Sequence, residues 1–177
     1  AGHESTRVVE KTSSPKNILV VGGGPAGMTA ALAAHRRGHR VVLHEKSGRL
    51  GGQLHEKSGR LGGQLHLAAA PPGREEFVRF SRDLENQLTL EKIPVVLNSK
   101  VDQAVLRENA PDAVILATGA VPVKPPIPGI DLPHVVQAWD VLENRVAVGN
   151  RVAVIGGNAV GLETALFLAE KGSMPAD

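Results

Sequence analysis

Cysteine is absent from these 177 residues. That removes a structural disulfide, a redox-active cysteine pair and the ligand set of an iron–sulfur cluster from the chain. Aromatic residues are scarce: three Phe, one Trp and no Tyr amount to 2%. With a hydrophobic share of 42%, the core must be made of Val, Leu, Ile and Ala. Net charge is only +2 with both signs mixed along the chain, which gives no support for nucleic-acid binding. No apolar run reaches membrane-span length, and the first eleven residues are too polar for a signal peptide. A cytoplasmic protein without membrane contact is the expectation. No G-x-S-x-G or H-E-x-x-H sequence occurs, and no residue stands out as a general acid or base. Glycine and proline, at 20 and 12 residues, fit an α/β protein with several loops. The length predicts one domain, or one and part of a second.

The richest segment is Val20-Val21-Gly22-Gly23-Gly24-Pro25-Ala26-Gly27, a G-x-G-x-x-G sequence. Before it, Asn17–Val21 is short, apolar and β-rich, which predicts a buried parallel strand. After it, Ala26–Arg37 has no β-branched run and predicts a helix. Gly22 then makes the tight turn, Gly24 lets a pyrophosphate approach the backbone, and Gly27 lets helix and strand pack closely. Phosphates are held by the N–H groups and positive dipole end of the helix. A second strand is predicted at Arg40–His44, and Glu45 follows it, 18 positions after Gly27. An acid there is placed for a ribose hydroxyl.

Further along, Glu75–Leu90 predicts an amphipathic helix with Phe77, Phe80, Leu84 and Leu88 on one stripe. Ile93–Leu97 predicts a strand, and Asp112–Ala117 another, apolar enough to be central in its sheet. Five prolines between Val121 and Pro133 predict an extended linker. A short helical turn is expected at Ala138–Glu143, a strand at Arg151–Ile155 and a helix at Ala159–Lys171. This organisation divides the chain into a polar leader (1–16), a dinucleotide-binding segment (17–149) and the opening of a second such domain (150–177). The fold class is α/β, a Rossmann-like doubly wound parallel sheet with an incomplete C-terminal part.

Three motifs in order carry a resemblance. Glu45-Lys46-Ser47-Gly48-Arg49-Leu50-Gly51-Gly52-Gln53-Leu54 resembles the E-K-x-x-x-x-G-G-x-L segment of the two-dinucleotide-domain flavoproteins. Asp112–Ala120 resembles their "ATG" strand and turn, with Ala117, Thr118 and Gly119. Arg151–Gly161 resembles their pyridine-nucleotide motif, with Gly156, Asn158 and Gly161. Within that superfamily, Gly62–Phe77 is similar to the branch of the 2,4-dienoyl-CoA reductases, 2-enoate reductases and trimethylamine dehydrogenases, which resemble old yellow enzyme in their N-terminal halves. The resemblance implies FAD, or ADP alone, in the first domain, with Val101 also near it, and NAD(P)H in the second. It implies an upstream barrel with FMN and an iron–sulfur cluster, neither within this chain, and enoyl or dienoyl substrates. The missing cysteines set the chain apart from the disulfide-reductase branch. A chain without the returning flavin segment and without a full second domain is expected to oxidise little or no NAD(P)H alone. Partners then include the remainder of the parent enzyme, and an uncovered strand edge at Arg151–Ile155 with a helix stripe at Leu162, Leu166, Phe167 and Ala169 suggests a homo-oligomer.

Two features depart from the family pattern. His44–Leu54 and His55–Leu65 are identical, HEKSGRLGGQL twice. Too few copies are present for a repeat architecture. The glycines in both copies argue against a continuous helix that would stack His44, His55 and His66, so no metal site is read from them. The repeat is an inserted loop or a duplication. Glu45 follows a true strand and Glu56 does not, so Glu45 is the ribose acid. Gly62, Gly63 and Gln64 are favoured near the nucleotide, with Gly51 and Gly52 the alternative. Second, Asn158 stands where the middle glycine of the second motif belongs.

Overall fold

A computed structural model describes residues 9–48, 70 and 76–173. Among the described residues the elements run β1 (Asn17–Val21), α1 (Pro25–Arg36), β2 (Arg40–His44), α2 (Glu76–Leu90), β3 (Val95–Val96), α3 (Gln103–Asn109), β4 (Ala113–Leu116), α4 (Ala138–Leu142) and α5 (Ala159–Ser173). They fall into two compact units, parting after Gly119, with the start of α2 assigned to the second.

The first unit is a parallel four-stranded sheet in the order β3-β2-β1-β4. β1 is central: Leu19 pairs with Val42 on one side and with Val114 on the other. Ile18, Val20, Val41 and Leu43 occupy one face, where they pack with Met28, Ala31 and Leu32 of α1 and Leu84 and Leu88 of α2. This core is aliphatic throughout. Arg36 fastens the end of α1 to α2, bonding Gln87 at 2.7 Å and Glu91 at 2.6 Å.

β1 and β2 lie where their hydrophobic runs predict, and α1 starts one residue early because Pro25 is suited to the first helical position. β4, expected to be central, is the edge strand among the described residues. Its Val114 and Leu116 are exposed on the face opposite α1, Leu116 at 76%. An apolar run reports a surface that can be buried, whichever element buries it. β3 shrinks to Val95–Val96, while Ile93 enters the core from the preceding turn. On α2 the buried stripe is Ser81, Leu84 and Leu88, and Phe80 is half-exposed. Phe80 sits a further step of the helical wheel from Leu88, beyond the edge of the stripe. The side chain of Phe77 lies outside the described residues. α3 was not expected. Its signal is Asp102, whose carboxylate caps Ala104 N and Val105 N at 2.8 and 3.1 Å.

In the second unit the proline-rich stretch is exposed and carries a Lys124–Asp131 ion pair. α4 buries Val141 and Leu142 and packs with α5. Arg145 pairs with Asp140 at 2.7 Å and with Glu143. Lys171 lies over the Phe167 ring at 5.2 Å and bonds Asn144. The strand expected at Arg151–Ile155 is not formed: among the described residues these pair with no strand, and they are exposed, Ile155 at 71%. A β-rich pattern gives a strand only when a neighbour supplies the ladder. No helix among the described residues is long and apolar enough to cross a membrane.

Candidate functional site

The order β3-β2-β1-β4 reverses direction at β1, because the chain passes outward to β3 and then returns to the other side. Ligands of doubly wound sheets bind at the carboxyl ends of the strands beside such a reversal. Three segments converge there: the turn after β1, the end of β2 and the end of β4.

The turn is set by packing. Gly22 has φ +108°, a conformation that side chains disfavour, and a Cβ on it would strike the Ala117 carbonyl, 2.8 Å from its carbon. Gly22 N donates to His44 O at 2.8 Å, and Ala117 N donates to Val21 O at 2.8 Å. A Cβ on Gly27 would overlap the Gly22 carbonyl oxygen and lie 3.3 Å from Ala117 Cβ. These contacts lock the start of α1 against β1 and β4. Gly24 is different: a Cβ there would meet nothing within 4 Å. Gly24 is the N-cap of α1 and offers no side-chain cap, Pro25 follows it, and the first turn holds no acid. The early N–H groups of α1, those of Ala26 and Gly27 among them, therefore face the crevice with a positive dipole end and no capping side chain.

Glu45 closes the other wall. Only 4% of it is exposed. Its Oε2 accepts from Gly23 N at 2.6 Å, and its Oε1 accepts from Ser47 N and Ser47 Oγ, both at 2.8 Å. The acid is thus held at the glycine turn itself. Ser47 was not anticipated; its signal is a hydroxyl two residues after the acid. Lys46 beside it is exposed. His44, also missed, is 5% exposed, with Nδ1 2.8 Å from Ser99 Oγ and Nε2 buried without a partner among the described residues. Burial pushes the imidazole below its ordinary range, opposed by the Glu108 carboxylate. Ser99 N donates to Glu45 O at 2.9 Å, tying the segment after β3 to the same corner.

Of the other expected site residues, Ala117, Thr118 and Gly119 follow β4, with Gly119 at φ +74°. Val101 is partly exposed just before the Asp102 cap. Gly62, Gly63 and Gln64, their alternatives Gly51 and Gly52, and His55 and His66 lie outside the described residues. Gly156, Asn158 and Gly161 belong to the second unit, at the start of α5. Among the described residues no group of His, Asp and Glu could hold a metal ion.

A turn of this build is a dinucleotide turn, and the comparison with known families agrees. Residues 16–174 match the family model described as pyridine nucleotide-disulphide oxidoreductase. The chain belongs to that family. It carries the dinucleotide-binding architecture with no cysteine in these residues. A bilirubin reductase of Mediterraneibacter gnavus is 41% identical over 97% of the chain and 25% of the relative. A metal reductase of Desulforamulus reducens is 39% identical over 98% of the chain and 25% of the relative. The structure of a 2-naphthoyl-CoA reductase in complex with 2-naphthoyl-CoA is 32% identical with a TM-score of 0.78, covering 96% of this chain and 24% of that one. The chain spans about a quarter of the length of the relatives it matches. It is therefore a domain of a flavin- and NAD(P)H-dependent oxidoreductase family, of a size found within larger proteins. Family and fold together support adenine-dinucleotide binding.

Proposed function

We propose that the first unit holds the adenine end of FAD and relays electrons within a larger NAD(P)H-dependent flavin oxidoreductase. Gly22, Gly24, Pro25, Ala26 and Gly27 receive the pyrophosphate, and Glu45 receives the ribose. Lys46, Gly62, Gly63, Gln64, Val101, Ala117, Thr118 and Gly119 lie further along the cofactor, and Gly156, Asn158 and Gly161 begin the NAD(P)H site. Residues 17–149 form the first domain and 150–177 the opening of the second. No side chain of this chain is assigned the redox step, since the flavin supplies that chemistry when bound and the protein orients it. The parent protein belongs to the old-yellow-enzyme-like branch, with FMN and an iron–sulfur cluster in the part outside this chain and enoyl or dienoyl compounds as substrates. Similarity to proteins named as reductases, one of them of a CoA thioester, supports this branch.

The observation that carries the reading is the meeting of an uncapped helix start with a buried carboxylate at the sheet's reversal point. Ribose hydroxyls bonded to a carboxylate contribute about 1.5–3 kcal/mol. Glu45→Ala is therefore expected to weaken ADP and FAD binding about tenfold or more by calorimetry. Unchanged affinity for both nucleotides removes Glu45 from the site. If the chain binds ADP and leaves flavin in solution, the unit is an ADP-binding module without catalysis.

A further inference from the structure

The second glycine motif repeats the first in backbone geometry. Gly156 has φ +114° against +108° for Gly22. A Cβ on Gly161 would overlap the Gly156 carbonyl, 2.9 Å from its carbon, as one on Gly27 would lie 3.0 Å from the Gly22 carbon. Leu162 N donates to Asn158 O at 3.0 Å, and Met28 N donates to Gly24 O at 2.9 Å. Asn158 is thus the position-for-position equivalent of Gly24. The glycine turn and the first helical bond are alike in the two motifs, and at this position the first has no side chain and the second a carboxamide.

That side chain turns inward. Asn158 Oδ1 accepts from Gly161 N at 3.3 Å. Gly161 N is one of the early amides of α5 that lack an intrahelical acceptor, the class of donor that holds a phosphate at such a turn. In the first motif the equivalent residue, Gly24, has no side chain to cap its helix. The long bond marks a weak cap, one that yields to a stronger acceptor.

We propose that Asn158 is an affinity-setting residue of the second nucleotide site: its carboxamide stands in for the pyrophosphate on the Gly161 amide and must rotate away when NAD(P)H enters. The proposal rests on the reading of Gly156–Gly161 as the start of the NAD(P)H site. A self-capped turn favours ready exchange of a cosubstrate, whereas the uncapped first turn favours retention of its nucleotide.

The test is an NADH titration of the 15N-labelled chain and its Asn158→Gly, Asn158→Ala and Asn158→Asp variants. The amides of Gly161 and Leu162 report the second motif, and those of Gly23 and Gly27 the first. Losing the cap to glycine costs a helix little, so Asn158→Gly keeps the fold. Asn158→Gly and Asn158→Ala are expected to tighten the second-motif response about threefold, the equivalent of releasing one weak cap. Asn158→Asp keeps the cap, adds repulsion and weakens the response. If Asn158→Gly binds more weakly than the parent chain, the carboxamide is a ligand and the proposal falls. It falls too if Asn158→Ala equals the parent, which makes the Cβ the obstacle, or if the second motif stays silent in every chain. Failure of the FAD reading appears separately, as silence of Gly23 and Gly27 toward ADP.

Discussion

The close approach of α1 to β1 makes a prediction whose sign is opposite to helix propensity. Gly27 lies within α1, and alanine in a helix interior is ordinarily favoured over glycine by about 1 kcal/mol. Here the added Cβ would overlap the Gly22 carbonyl oxygen, lie 3.0 Å from its carbon and sit 3.3 Å from Ala117 Cβ. The obstructing atoms are backbone of the strand-to-helix turn, so no rotamer change relieves them. Overpacking of this kind costs about 1–3 kcal/mol, and more when backbone must move. Gly27→Ala should therefore lose roughly 1–3 kcal/mol despite its better propensity. For a chain of this size that corresponds to a fall in Tm of about 2–4 °C for each kcal/mol. Gly24→Ser is the matched control. Its Cβ meets nothing within 4 Å, the backbone has φ −74°, and serine is a favoured N-cap. It should be at least as stable as the parent and bind ADP less well, because the new side chain stands where a pyrophosphate approaches. Urea unfolding followed by circular dichroism, paired with ADP calorimetry, reads both effects. Gly27→Ala unfolding at the parent's urea concentration, or Gly24→Ser falling with it, refutes the assignment of packing to one glycine and ligand approach to the other.

Burial lowers the pKa of His44, so the folded state favours the neutral imidazole. The stability this provides is complete above the ordinary value near 6.5 and is lost as pH falls through the folded value. The urea midpoint should drop as pH falls below about 6.5, and His44→Gln should flatten that drop; equal slopes reject the role. Deleting one copy of HEKSGRLGGQL shortens the β2–α2 connection from roughly 30 to roughly 20 residues, which should change stability by only about 0.4 kcal/mol. The copies are identical, so removing either gives the same chain, and a loss of several kcal/mol in unfolding would show that the duplicated stretch contributes packing.

What the sequence made legible is what local chemistry decides. Asn17–Val21 and Arg40–His44 are strands because short β-rich apolar runs flank a helix-forming stretch, and both occur at the expected bounds. Gly22 and Gly27 could be assigned their packing roles from spacing alone. The misses concern partners that lie far along the chain. Asp112–Ala117 looked central, yet edge or centre depends on which strands lie beside it. Arg151–Ile155 has strand chemistry without a ladder among the described residues. α3 was overlooked because Gln103–Asn109 is short and buries no residue, so it has no apolar stripe to betray it. At the site, Glu45 was visible as an acid after a strand, whereas its bonds to Gly23 and Ser47 appear only in three dimensions.

The pairing of β1 with β4 also sets an order of assembly. Asn17 N donates to Asp112 Oδ2 across 95 positions of sequence. β1, α1 and β2 are complete by His44, and their contacts are local enough to form early. The strand that covers the other side of β1 begins only at Ala113. At about 5–20 residues per second, the ribosome needs roughly 3–14 s to make the residues between. During those seconds the strand that ends in the middle of the sheet is an open edge, with Asn17, Leu19 and Val21, whose amides and carbonyls face the β4 side, offering them to any chain nearby.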